Sequence, residues 1–185
     1  MITAATHAPR WARAMMLILP AIWIGLIIGI SFIEAPLKFT APGITIPLGL
    51  GIGRRVFLAM NIVEVVLAII LLTALISLWR SNKTLVITNF SAMRLYTFIA
   101  GAMLVLKTAI IRPLLEVETD AVLAGTSEGG SPTHYYYIGV EAILFIALVL
   151  LAITGVRGVL VPTQIVDDAA TLPDQPATEP MITAP

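Results

Sequence analysis

Two glutamates, Glu64 and Glu141, each sit inside a long run of apolar residues, and Lys107 sits inside a third. A charge at the centre of a membrane helix costs about 2.5–3.5 kcal/mol on insertion scales, so such residues are expected to face a protein interior or a wet cavity. Two carboxylates there can hold a cation or carry a proton, or one of them can pair with Lys107 and fix helix register. Asn61 precedes Glu64 by one helical turn, and His134 precedes Glu141 by two. Glu34 and Arg112 mark the ends of two apolar runs. The candidate ligand- or ion-binding set is therefore Glu64, Glu141, Asn61, Lys107 and His134, with Glu34 and Arg112 as secondary members. Much other chemistry is excluded. The chain has no cysteine and two histidines, of which His7 lies in a polar N-terminal stretch, so thiol nucleophiles, thiolate metal sites, iron–sulfur ligation and a bis-histidine haem all lack their residues. No cofactor is predicted, and the identity of any metal is left open.

These residues need elements to hold them, and composition says which. Of 185 residues, 58% are hydrophobic and 12% charged, against about 25% charged in soluble domains. Mean hydropathy is +0.98. The apolar residues cluster in four runs, about 14–33, 56–78, 91–111 and 135–156, each long enough at ~1.5 Å per residue to cross a ~30 Å hydrocarbon core. The first is longer than a typical ~7–15-residue signal-peptide core and lacks a cleavage context, so it reads as a span, with a bend expected at Pro20. The fold class predicted is all-α, a transmembrane four-helix bundle over residues 1–160, followed by a disordered, acidic tail rich in Pro, Ala and Thr over 161–185. The formal net charge is zero, so no nucleic-acid partner is expected. The lipid bilayer is the expected surrounding, and a homodimer or a larger membrane complex is left open.

Between the first two spans, Pro36, Pro42 and Pro47 with Gly43, Gly49, Gly51 and Gly53 predict an apolar but non-helical segment. The glycines before Arg54-Arg55 read as letting that loop turn into the second span. Arg112-Pro113 is expected to end the third span, with a loop from Leu114 to Thr133. Gly25-x-x-x-Gly29 fits close helix packing, and Tyr135-Tyr136-Tyr137 reads as an interfacial belt. Lys and Arg counts set orientation: Arg10, Arg13, Arg80, Lys83, Arg94 and Arg157 fall on one side, Lys38, Arg54, Arg55 and Arg112 on the other. Six against four predicts both termini in the cytoplasm.

A repeat organises the four spans. Displaced by 77 positions, Ile33-x-x-Pro36-Leu37 falls on Ile110-x-x-Pro113-Leu114, and Val63-Glu64 falls on Val140-Glu141. The pattern predicts two helical hairpins in a two-plus-two parallel repeat about an axis along the membrane normal. Phe57, Asn61, Glu64, Ala68 and Leu71 share one face of the second span; His134, Tyr137, Glu141, Phe145 and Leu148 share the corresponding face of the fourth. By rise per residue Glu64 lies ~12 Å, Glu141 ~9 Å and Lys107 ~6 Å inside the outer ends of their spans. Every strongly polar residue within the spans thus falls in the outer half, and a polar chamber open outward is predicted.

The stretch from Gly25 to Glu64, with Glu34-Ala35-Pro36-Leu37-Lys38, a Gly-rich apolar segment and Gly53-Arg54, resembles small bacterial four-helix integral membrane proteins of uncharacterised function. The His134-to-Glu141 spacing is similar to a His-and-polar pattern in some of them, with Glu141 a departure from the more usual Asn. The resemblance implies a bacterial inner-membrane location and no particular substrate or catalytic residue. Three functions follow as expectations: cation- or proton-coupled transport or small-ligand binding at the chamber; an accessory or assembly subunit of a larger membrane complex; and a lipid- or quinone-linked membrane enzyme using His134 and Glu141. The last lacks a recognised catalytic constellation.

Overall fold

Pro36 and Pro113 lack the N–H that an α-helix needs and would clash with the carbonyl four residues back. In the computed structural model, which describes residues 9–81, 89–127 and 132–159, both are accommodated without ending the helix. A π-helical stretch, Ile28–Glu34, precedes Pro36, and another, Leu106–Ile111, precedes Pro113. The closing bonds run from Ala35 N–H to the Ile30 carbonyl and from Arg112 N–H to the Lys107 carbonyl. These five-residue loops widen the backbone just before each proline, where its ring must fit.

Four helical rods result: α1 (Arg10–Thr40), α2 (Ile46–Ser81), α3 (Phe90–Leu123) and α4 (Pro132–Val159). All four are long and apolar enough to cross a membrane, and among the described residues no strand is present. The chain is a transmembrane four-helix bundle. The expected tail at 161–185, His7 and Lys83 lie outside the described residues.

The rods outrun the predicted spans. α1 passes through Pro20 without interruption, continues through Ala35–Leu37 and closes with the 3-10 turn Lys38–Thr40. The predicted irregular segment shrinks to residues 41–45, turned by Gly43 at φ 81°. α2 starts at Ile46, so Pro47 occupies the first helical turn, where its missing N–H is of no consequence. Thr45 caps it, its Oγ1 accepting from Leu48 N–H at 3.4 Å. Gly49, Gly51 and Gly53 are helical, which corrects the loop reading. A Cβ on Gly49 would run into the Phe39 ring, and one on Gly53 would lie 2.7 Å from Lys38 Nζ. The bare faces of Gly49 and Gly53 are what let the end of α1 lie against α2. Likewise α3 does not stop at Arg112-Pro113: it continues to Leu123, aided by an Arg112–Glu116 pair one turn apart at 2.8 Å, and ends at Gly125 with φ 71°.

The 77-residue relation persists in burial. Met16 and Met93, Trp23 and Ala100, Ile27 and Leu104, Glu64 and Glu141, Leu67 and Leu144, and Leu71 and Leu148 are all buried. The packing is less symmetric. α1 with α2, α3 with α4, and α1 with α4 pack along long seams, whereas α2 and α3 meet over a short one. Toward the termini the interior is almost wholly apolar, with Met16, Leu75, Leu78, Met93 and Leu151 fully buried; Thr97, whose hydroxyl bonds the Met93 carbonyl, is a buried polar exception. Gly155 brings α4 within van der Waals reach of the Met16 carbonyl. Gly25 and Gly29, in contrast, meet nothing within 4 Å, so the predicted close packing there does not occur within the chain. At the termini end Arg94 stacks on Trp79, 4.6 Å from the ring centre.

Candidate functional site

The floor of the site is an ion triad drawn from three rods. Lys107 Nζ donates to Glu64 Oε2 and to Glu141 Oε2, both at 2.6 Å. Glu64 and Lys107 are completely buried, and Glu141 is 3% exposed. The two glutamates are repeat-related; Lys107 falls opposite Ile30 in the other hairpin and breaks the symmetry. Helix geometry places all three: Glu64 and Glu141 face the bundle axis on α2 and α4, and Lys107 lies within the π-helical stretch of α3. Such stretches alter the rotation of the side chains that follow and recur at functional sites.

α1 completes the carboxylates' coordination. Trp23 Nε1–H donates to Glu64 Oε1 at 3.0 Å, and Ser31 Oγ donates to Glu141 Oε1 at 3.1 Å, with Met60 Sδ 3.8 Å from the same hydroxyl. Each carboxylate oxygen therefore has one donor. Charge is not balanced: two carboxylates face one ammonium. A buried charge cluster keeps its geometry only if well paired and hydrogen-bonded, and this one is fully bonded, with formally two carboxylates to one ammonium.

Above the floor lies a chamber of about 670 Å³, at the end of the bundle away from the termini. Glu141 is the triad member that lines it. Asn61 also lines it, 3% exposed, and neither its Oδ1 nor its Nδ2 has a partner. Tyr137 is buried rather than interfacial, correcting the belt reading for that residue; its hydroxyl is also unpartnered, and its ring lies 5.7 Å from Lys107 Nζ. Tyr135 and Tyr136 are exposed as expected. Buried polar atoms without partners are rare in folded proteins; of the four among the described residues, three belong to Asn61 and Tyr137, which both line this cavity, and the fourth is Glu118 Oε2. The walls are aromatic and aliphatic: Phe32, Phe39, Phe57, Leu50, Leu115 and Ile138. Phe57 packs edge-on against Tyr137 at 5.8 Å between centroids.

The rim carries charge in balanced pairs. Arg54 reaches Asp120 through two hydrogen bonds of 2.6 and 3.2 Å, bridging the short α2–α3 seam. Lys38 pairs with Glu34 at 3.3 Å and Arg112 with Glu116. Of the predicted residues, Glu64, Glu141, Lys107 and Asn61 converge at the floor. His134 and Arg112 line the chamber nearer its mouth, with His134 exposed, and Glu34 pairs with Lys38 rather than joining the floor. Trp23, Ser31 and Tyr137's buried hydroxyl were not anticipated as site groups. Trp23 did carry a signal, since a tryptophan at mid-span departs from the interfacial preference. Among the described residues no group of three His, Cys, Asp or Glu side chains is arranged to hold a metal ion.

Fold and site together define an integral membrane four-helix bundle with a blind, polar-floored chamber. No family profile, curated protein or solved structure matches the chain.

Proposed function

We propose that this protein is a bacterial inner-membrane protein, with both termini cytoplasmic, that binds a small ligand in its outward-facing chamber and couples binding to a cation or proton at Glu141. The observation that carries this is the floor: two buried carboxylates against one ammonium, with the unpartnered Asn61 amide beside them. A positively charged group arriving there neutralises the excess charge without dismantling the Lys107 bonds. Binding is supported better than a static pore, because the termini half of the interior is filled with apolar side chains. Coupled transport would require the rods to move, and the short α2–α3 seam and the two π-helical stretches are where least packing opposes motion.

An accessory role is the second reading, favoured by the open Gly25–Gly29 face of α1, which would admit a partner helix closely. An acid–base enzyme is supported less: His134 and Glu141 are two helical turns apart, about 10.5 Å along α4, too far for one hydrogen bond.

Thermal unfolding in detergent tests the reading, comparing wild type with Glu64→Gln and Glu141→Gln from acid to alkaline buffer and across inorganic cations. Ligand linkage gives about 2.7 kcal/mol of stabilisation at a hundredfold excess over Kd. The expected result is stabilisation of wild type by protons or a cation that is lost in Glu141→Gln. Mutants that track wild type under every condition would refute it.

A further inference from the structure

Resting on that binding role, the geometry points to the ligand's class: we propose that the chamber takes a lipophilic organic cation, received sideways from the bilayer between α1 and α4, with its charge over Glu141 and Asn61. Four independent features support it.

The first is charge. The floor formally sets two carboxylates against one ammonium, and the three rim cations that line the chamber or pair beside it each have a carboxylate of their own, so within the chamber lining the carboxylate that must share its counter-charge is Glu141. The second is the wall. Phe32, Phe39, Phe57 and Tyr137 line the cavity, and aromatic rings attract desolvated cations, as they already do the ammonium of Lys38 at Phe39 and Phe57 and that of Lys107 at Tyr137. A bare inorganic ion fits poorly: calcium-sized ions take 6–8 oxygens, roughly, and magnesium keeps its waters, whereas the floor offers Glu141, Asn61 Oδ1 and Tyr137 Oη. At about 670 Å³ the cavity has the size of sites for drug-sized ligands.

The third feature is the unpartnered amide. Asn61 lines the cavity and neither its Oδ1 nor its Nδ2 has a partner; a small rotation of the amide would turn Oδ1 toward an ammonium N–H or the polarised carbon–hydrogen bonds around an onium centre. It also argues against an anionic amphiphile held by the rim. Such a molecule would have to displace Asp120, Glu116 or Glu34 from its partner, and its tail would then lie against Asn61, which an apolar group cannot satisfy.

The fourth is access. α1 and α4 pack closely only along α1's first segment, Arg10–Ile27; the π-helical stretch beyond it makes little backbone contact with α4. The Ser31–Glu141 hydrogen bond and the Phe32–Phe145 ring contact at 5.5 Å span this gap. Phe32 and Ile138 line the chamber and yet are 52% and 48% exposed. With about half of each side chain uncovered beside this gap, the gap reads as a window into the bilayer. A lipophilic cation partitioned into the membrane arrives at this window without passing the charged rim.

The test uses purified full-length protein in maltoside micelles and two shape-matched ions, tetraphenylphosphonium and tetraphenylborate, followed by titration calorimetry. Saturable binding of the phosphonium and none of the borate is expected. Glu141→Gln should weaken the phosphonium at least about tenfold, and Asn61→Leu should weaken it by a smaller factor. Ile138→Trp, outside the triad, should fill the window and slow association in lipid nanodiscs with the rods still folded. Equal binding of both ions, or phosphonium binding indifferent to Glu141→Gln, overturns the proposal. If the phosphonium fails to bind while protons or inorganic cations still stabilise wild type and not Glu141→Gln, the ligand class falls and the binding role stands. If neither effect is seen, both fall.

Discussion

Replacing Lys107 with methionine separates a charge cluster that merely holds helices together from one with an uncompensated negative charge. Methionine roughly keeps the length and apolar stem of lysine and removes the ammonium. What remains is two carboxylates, both all but fully buried, that had shared one donor at 2.6 Å on each side and keep only Trp23 and Ser31. Breaking a buried pair by removing one partner costs about 3–5 kcal/mol, and here two carboxylates lose it at once, so the expected loss is at the upper end of that range. Glu64→Gln does something different. It gives up one charge-assisted hydrogen bond, worth about 1.5–3 kcal/mol, but leaves Lys107 and Glu141 as a balanced pair, so removal of the surplus charge offsets part of the loss. The prediction is an ordering: Lys107→Met costs at least twice what Glu64→Gln or Glu141→Gln does, and the triple variant with all three groups neutral recovers most of the stability. Reversible unfolding by SDS in mixed micelles, monitored by far-UV circular dichroism, gives the free energies. Equal losses for Lys107→Met and Glu64→Gln would refute the reasoning, because they would mean that the resting cluster has no excess charge.

Three further outcomes follow from the packing. Trp23→Phe keeps most of the ring and removes the donor that Glu64 Oε1 has among the described residues, and should cost about 1.5–3 kcal/mol in the same unfolding assay. Gly155→Leu drives a side chain at the Met16 carbonyl, 3.3 Å from where its Cβ would stand, and should cost about 1–3 kcal/mol; Gly25→Leu, with nothing within 4 Å, should change the isolated chain by no more than about 0.5 kcal/mol. A large loss at Gly25 accompanied by a change in oligomeric mass would show instead that this face of α1 meets a partner helix. Asp120→Asn at the exposed bridge to Arg54 should leave stability unchanged within error at moderate salt, as measured by the same titration, since exposed pairs are weak and screened.

The repeat explains why the site is both symmetric and polar on one side only. The 77-residue correspondence places two carboxylates, Glu64 and Glu141, at equivalent inward positions of the two hairpins, where they repel. In the second hairpin, the position opposite Ile30 is Lys107, and its ammonium binds both. Trp23 and Ser31 then serve the glutamates from α1, while their repeat counterparts do not: Ala100 has no donor, and Thr108 bonds to the Leu104 carbonyl of its own helix.

What the sequence determined by itself was the number of rods, the faces they turn inward and the residues that meet at the floor. Hydropathy over about 20 residues decides spanning, and an ionisable group inside a span has few places to go, so Glu64, Glu141, Lys107 and Asn61 could be placed on one interior from spacing alone. Where the rods end was not legible. Proline and glycine weaken a helix locally, and read locally they cut α1 at Glu34, delayed α2 to Val56 and stopped α3 at Arg112. Tertiary structure decided otherwise: π-helical turns absorbed Pro36 and Pro113, and Gly49 and Gly53 turned out to be contact points for Phe39 and Lys38. Those extra turns build the chamber's upper walls, so the cavity itself, its window beside Phe32 and the rim pair Arg54–Asp120 belong to the three-dimensional packing. The same holds for Trp23 and Ser31, since which donor reaches a buried carboxylate depends on the rotation of a neighbouring helix, and residue spacing within one helix does not contain that angle.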